Sequence, residues 1–200
     1  MKKLKESKKK PSGTAPLYSF RIELKWITPK IWRYFYVPSD ISLIHFHLAI
    51  QAVMGWENDH LFSFNISGEE YFDEVFTPFH SLADESEFEL GNVRLDGLEL
   101  VKGSRFTYMY DMGDSWDHVI KVLSTDYVPK VPGRRFGCFK GARACPMEDC
   151  GGVYGYYHLL DVLADPDHDE HEFRMEWAGG PIDPEAFDLD SINISLSHLE

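Results

Sequence analysis

Tyr18-Ser19-Phe20-Arg21-Ile22-Glu23-Leu24-Lys25, followed by Ile31-Trp32-Arg33-Tyr34-Phe35-Tyr36-Val37 and then Ser42-Leu43-Ile44-His45-Phe46-His47-Leu48-Ala49-Ile50-Gln51-Ala52-Val53-Met54, is the stretch that decides the fold. In its first segment apolar residues alternate with polar ones, the period of a half-buried strand. The second segment is aromatic and β-branched, as a partner strand would be, and Thr28-Pro29-Lys30 supplies the turn between the two. Pro38-Ser39-Asp40 ends it. Ser42 is a good N-cap, and Leu43, Phe46, Leu48, Ile50, Val53 and Met54 fall near helical spacing. Gly55 stops the helix, with Trp56 just beyond. The expectation is a hairpin of residues 18–25 and 32–37 packed on a helix over 42–54.

Outward from this core, Leu61–Ile66 alternates again, and Ser67-Gly68 turns the chain toward Tyr71-Phe72. Residues 73–104 read as acidic and irregular, with a short strand near Glu87–Leu90. Phe106, Tyr108 and Tyr110 share one face of a further strand. Met112-Gly113-Asp114-Ser115 reads as a hairpin turn, and Trp116, His118, Ile120 and Val122 share a face of the return strand. Residues 126–137 carry Pro129, Pro132 and Gly133 and read as a loop. Val153–Leu163 fits a helix, a second helix follows over roughly 168–177, and Gly179-Gly180-Pro181 breaks it. The fold class expected is α+β: a β-grasp-like core of two strands, a helix and further strands, an added hairpin over 105–124, and C-terminal helices covering a mixed sheet. One domain spans 17–190, between a flexible basic leader at 1–16 and a C-terminal tail at 191–200.

Charge is distributed unevenly. Residues 1–10 hold six lysines and one glutamate, so the remaining chain has 14 basic against 32 acidic residues, or −18. A body that acidic repels phosphate backbones and argues against a duplex-binding surface, leaving the leader as the segment suited to nucleic acid. The plainer role for that leader is a solubilising arm. The hydrophobic share of 44%, with 14% aromatic, is that of a globular chain. No apolar run approaches the roughly 18 residues that span a bilayer, and the leader lacks the apolar stretch of a secretory signal. Together with an odd, low cysteine count, this points to a cytoplasmic protein.

The three cysteines, Cys138, Cys145 and Cys150, lie in Gly137–Gly152, a segment rich in Gly and Pro that reads as a shaped loop. Thiolates bind metal when several converge, and His118 is the best distant fourth ligand, with His158 next. Cys138, Cys145, Cys150 and His118 would suit zinc, although the spacing is not that of a zinc ribbon. Buried cysteines also pack as small hydrophobes. Alternation puts Asp114, Trp116 and His118 on one side of the hairpin and Asp117 on the other, so a carboxylate could orient an imidazole. Candidate chemical residues are therefore Asp114, His118, Cys145, Asp149 and Cys150, with a cysteine nucleophile beside His118 and Asp114 as one arrangement. The same hairpin can also be purely structural, its aspartates serving turn amides. His168-Asp169-Glu170-His171-Glu172 has metal-compatible spacing on a helix, or is simply a solvated acidic helix start.

Five stretches together resemble one family: Ile31-Trp32-Arg33; the Leu43-to-Trp56 helix; Tyr110-Asp111-Met112-Gly113-Asp114-Ser115-Trp116-Asp117-His118; Ala144-Cys145-Pro146-Met147-Glu148-Asp149-Cys150-Gly151-Gly152; and Trp177-Ala178-Gly179-Gly180. The chain resembles the Ri-plasmid third-open-reading-frame family, whose members carry the label of passenger or resolvase-like proteins of mobile elements. The resemblance covers about residues 17–190. It implies an association with mobile elements and brings no activity with it. Serine recombination needs a nucleophilic Ser among clustered arginines, and the sequence shows no such cluster. The function expected is a cytoplasmic accessory or binding module acting through protein contacts. The alternative is a metal- or cysteine-dependent, hydrolase-like enzyme with its site between the 111–118 hairpin and the 138–152 loop.

Overall fold

A computed structural model describes residues 15–72 and 90–200. Strands β1 (Leu17–Leu24) and β2 (Trp32–Pro38) pair antiparallel, Phe20 opposite Phe35 and Ile22 opposite Arg33. Helix α1 (Leu43–Met54) follows. The Ser42 hydroxyl accepts the amide of His45 at its start, and Gly55 closes its end at φ 91°, where a side chain would be strained. The helix lies on the hairpin as expected: the Phe46 ring is 4.9 Å from Phe20 and 6.0 Å from Phe35.

The chain continues through β3 (Phe62–Ile66), β4 (Glu69–Tyr71), two single 3-10 turns at Leu90–Asn92 and Leu95–Gly97, β5 (Arg105–Tyr110), β6 (Trp116–Tyr127), β7 (Gly137–Ala142), α2 (Gly152–Ala164), α3 (His171–Trp177) and α4 (Leu189–Ser197). Among the described residues seven strands form one sheet in the order β4-β3-β5-β6-β1-β2-β7. Every pairing is antiparallel, which corrects the expected mixed sheet. The reason is β6. This 12-residue strand takes β1 along one edge and β5 along the other, both antiparallel. The β-grasp likeness extends no further than the order of strand, strand, helix, strand, strand. An α+β architecture is what the elements form.

Three further expectations change. Residues 137–142 are an edge strand, not part of the cysteine loop, and two of its glycines sit where a Cβ would collide. At Gly137 it would lie 2.5 Å from the Tyr36 hydroxyl, and at Gly141 it would lie 2.4 Å from the Phe187 ring. Both glycines serve close packing. The second C-terminal helix starts at His171, because residues 165–170 turn instead. The segment expected as a tail from residue 191 lies mostly in α4, where Asp188 caps Ser191 and Leu196 is fully buried. The leader and most of the expected short strand near Glu87–Leu90 lie outside the described residues, and Leu90 itself opens a 3-10 turn. Among the described residues no helix is long and apolar enough to cross a membrane.

The core gathers on one sheet face. Phe20, Ile22 and Leu24 of β1, Phe35 and Val37 of β2, Trp116, Ile120 and Val122 of β6 and Phe106, Tyr108 and Tyr110 of β5 are all buried there, with Phe46, Ile50 and Val53 of α1. Burial of this many aromatic and branched side chains dominates the stability of the fold, each contributing about 1.5–3 kcal/mol.

Candidate functional site

The C-terminal end of α1, the β5–β6 hairpin and the 143–152 loop converge at one end of the sheet. Buried polar groups on α1 fix the first of these. The Tyr108 hydroxyl lies 2.8 Å from His47 Nδ1 and accepts from Gln51 Nε2 at 2.9 Å. The other ends of those two side chains hold Asn58: His47 Nε2 meets its Oδ1, and Gln51 Oε1 accepts its amide at 3.1 Å. The loop after the helix is thus pinned, and it presents Glu57, Asp59 and His60.

The hairpin turn is shaped by Asp111, buried, at φ 59°, whose Oδ1 accepts the amides of Gly113 (2.8 Å) and Asp114 (3.2 Å). Asp114 Oδ2 in turn accepts the Gly151 amide at 3.1 Å, tying the hairpin to the loop. The join is close. A Cβ on Gly152 would lie 2.5 Å from the Asp114 carbonyl oxygen. On the other side, Trp56 Nε1 donates to the Pro146 carbonyl at 3.0 Å. Arg33, buried beneath, donates to the carbonyls of Val53, Ala142 and Arg143 at 2.8–2.9 Å and so clamps the loop to the helix. The expectation that the hairpin and the loop meet is met by this geometry.

The junction's lining differs from the residue set read from the sequence. His60 stands between two carboxylates, Nδ1 3.8 Å from Asp111 Oδ2 and Nε2 3.4 Å from Asp149 Oδ1. Its Nε2 is shut off from solvent yet makes no hydrogen bond. Ligand atoms of His60, Asp111 and Asp149 lie within 4.8 Å of one another, as do those of Glu57, Asp59 and Glu148. Among the described residues, neither of these two groups contains a cysteine or His118. Glu148 links the groups to the sheet: it accepts a short hydrogen bond from the Tyr110 hydroxyl and the Glu57 amide at 3.2 Å. Burial holds both the Glu148 carboxyl and the Tyr110 phenol above their ordinary values.

Of the residues singled out in the sequence, Asp149 lines the junction, Asp114 braces it, and His118, Cys145 and Cys150 lie on its inner side, whereas Cys138 sits on β7, where its amide donates to Asn193 Oδ1 and its carbonyl accepts from Asn193 Nδ2. His118 is fully buried, its ring 5.3 Å from both Trp56 and Tyr108, and neither nitrogen has a hydrogen-bond partner. Burial depresses its pKa to about 3, so it is neutral. Burial likewise pushes the Cys138 thiol up to about 11, the Cys150 thiol up to about 12 and the Cys145 thiol higher still. Protonated thiols are poor nucleophiles and poor ligands. The histidines near 168 play structural parts: His168 Nδ1 accepts the Glu170 amide at 3.1 Å, and His171 Nδ1 donates to the Val162 carbonyl at 2.9 Å. His158 faces Glu170 at 3.8 Å. His60, Tyr110 and Glu148 are the functional candidates that sequence reasoning missed. The available signal was Glu57-Asn58-Asp59-His60, a polar run between a helix stop and a strand.

A cavity of about 350 Å³ lies at the opposite end of α1, lined by Ser42, His45, Arg94 and Arg135 among others. Its two arginines are already paired, Arg94 with Asp96 at 3.0 Å and Arg135 with Asp40 at 3.1 Å. The chemistry is therefore concentrated at the other end.

Comparison with known proteins identifies the family. Residues 16–191 match the model of the plasmid pRiA4b ORF-3-like protein family, and the chain belongs to that family. It is 33% identical over 193 residues to the uncharacterized protein y4hQ of Sinorhizobium fredii (strain NBRC 101917 / NGR234), covering 92% of this chain and 89% of that one. It is also similar to the crystal structure of the protein of unknown function MM3350 from Methanosarcina mazei Go1. The identity there is 32% and the TM-score 0.71, over 86% of this chain and 95% of that one.

Proposed function

We propose that this member of the plasmid pRiA4b ORF-3-like family is a metal-dependent enzyme of hydrolytic type, with His60, Asp111 and Asp149 holding a divalent cation. One observation carries the reading: an imidazole flanked by two carboxylates, with its Nε2 buried and unsatisfied, at the place where three segments are pinned together. Mixed imidazole and carboxylate donors suit manganese, zinc or iron. A bound divalent cation would bring the pKa of its water toward neutrality. Glu148, its carboxyl raised by burial and held by Tyr110, stands beside the cluster as the group to accept that proton. The surrounding carboxylates favour a neutral or cationic substrate over an anionic one. The cysteine-dependent form of this reading is disfavoured by thiols that burial keeps protonated. The expected zinc set of Cys138, Cys145, Cys150 and His118 gives way to the cluster on the outer side.

Metal analysis of protein purified without an affinity tag is the test. Stoichiometric transition metal, lost in Asp111→Asn and His60→Gln, is the expected result. Wild-type protein that stays metal-free after incubation with manganese or zinc would overturn it.

A second reading keeps the expected accessory module, in the cytoplasm with mobile elements, acting through protein contacts. It is favoured by α3, which buries none of its residues and exposes Phe173 (63%) and Trp177 (37%) at i and i+4. Under that reading Phe173→Ala with Trp177→Ala abolishes partner binding and leaves metal content untouched.

A further inference from the structure

The sheet face opposite the core carries a second pattern, independent of the junction. Across five adjacent strands, pairing aligns Arg105 with Lys121, Lys121 with Arg21, Arg21 with Tyr34, and Tyr34 with Lys140. The first three are basic side chains on neighbouring strands, each directly opposite the next. Like charges in that relation destabilise a sheet, so packing alone does not select them. Arg21 has one ion pair, with Glu23, while Arg105 and Lys121 have none among the described residues. From Arg105 to Lys140 the row is about 19 Å long at the usual strand spacing, and its three consecutive basic groups cover about 10 Å of it.

Beside it runs a continuous ladder of rings. Trp32 is 4.8 Å from Tyr34, Tyr34 is 5.8 Å from Phe139, and Phe139 is 5.3 Å from Tyr127; the ladder ends on Tyr36, 5.0 Å from Tyr127 and itself buried. A register shift in β7 between the partners of Tyr34 and Phe35 turns Phe139 onto this face, where it is 38% exposed. Arg21 and Lys140 each lie 5.7 Å from the Trp32 ring. Of the three acids on these strands, Glu23 and Asp117 are paired with Arg21 and Lys25, and Asp126 lies at the far end of β6; Glu70 stands apart on the far edge strand. A body of net charge −18 thus gathers basic groups and rings on one face of the sheet.

We infer that this face binds single-stranded nucleic acid, the basic row following phosphates and the rings stacking bases. Charge complementarity selects a polyanion, and the ring ladder selects one with exposed planar bases. A duplex hides its bases and meets the acidic remainder of the body, so the overall charge argues against duplex and not against a single strand. The basic groups and rings named here meet phosphates and bases, which DNA and RNA share, so oligothymidylate and oligouridylate should bind alike.

The test is fluorescence anisotropy of full-length protein with a labelled oligothymidylate of about 15 nucleotides, against oligouridylate and a duplex of equal length. The expected result is salt-sensitive binding of both single strands and none of the duplex. Arg105→Glu with Lys121→Glu, and separately Phe139→Ala, should each weaken it about tenfold or more, with Tyr34→Phe neutral and Tyr34→Ala not. All are partly exposed positions, and unchanged melting temperatures exclude misfolding. Absence of single-strand binding overturns the inference. So does binding that survives both the charge and the Phe139 variants, which would assign it to the basic leader, and so does equal affinity for duplex.

Discussion

Within six residues of one loop the chain sends thiols and carboxylates in opposite directions. Cys145 turns inward beside Arg33 and Cys150 is buried against the core, while Glu148 and Asp149 turn outward to meet Tyr110 and His60. The inner wall holds the groups that look most reactive on paper, thiols and a histidine, in the neutral forms that burial imposes. The outer wall holds plainer residues that face one another: His60 between Asp111 and Asp149, and Glu148 against Tyr110. The difference teaches that residue type proposes chemistry and solvent exposure disposes of it: a carboxylate with a partner at the rim is worth more than a thiol sealed beneath it.

The largest test of that contrast is acid. An ordinary imidazole takes its proton near 6.5, and folded His118 holds off to about 3. The unfolded chain therefore binds a proton that the folded chain refuses. This contribution to stability is complete above pH 6.5, declines as pH falls, and is lost by about pH 3. The span corresponds to a limit on the order of 5 kcal/mol. His118→Leu should flatten the fall in melting temperature between neutral pH and pH 4. Identical pH profiles for variant and wild type would show that the inner wall admits water and charge.

Next in size is the floor joining the two walls. A Cβ on Gly155 would lie 1.9 Å from the Cys150 carbonyl oxygen, which is backbone and cannot step aside. Gly155→Ala should cost about 3 kcal/mol in denaturant unfolding and lower metal affinity with it. A cost below about 0.5 kcal/mol would mean that α2 can shift without disturbing the junction.

The smallest effect concerns the brace between hairpin and loop. Asp114→Ala removes one acceptor for the Gly151 amide and should destabilise by about 1 kcal/mol. It should leave cation affinity within a few fold, because Asp114 braces the cluster without joining it. Loss of binding as complete as in Asp111→Asn would move Asp114 into the site.

These contrasts also mark where sequence reading succeeds. Period-two alternation in 18–25 and the caps at Ser42 and Gly55 are local signals, and β1, β2 and α1 form as read. The burial of Trp116 and His118 on one face of β6 follows from the same alternation. What failed depends on distant pairing. That β6 joins β1, nearly a hundred residues earlier, is set by the whole core, so the antiparallel order was not legible. Strand β7 resembles a loop in sequence because its glycines signal turns, whereas here they admit Tyr36 and Phe187. Helix α4 does have a local signature: Asp188 is a cap, and Leu189, Ile192 and Leu196 follow at helical spacing, so its absence from the expected elements has no physical cause. The candidate site was half legible. Its location followed from two polar loops, but His60, the residue between the carboxylates, lies on a third segment that sequence does not connect to either.

The central claim is that the outer wall holds a divalent cation. Calorimetric titration of manganese into metal-stripped wild-type and His60→Gln protein tests it most directly. The account predicts one site in the wild type with affinity at least tenfold above that of the variant, while both melt alike without metal. Equal titrations for the two proteins, or no heat in either, would contradict it.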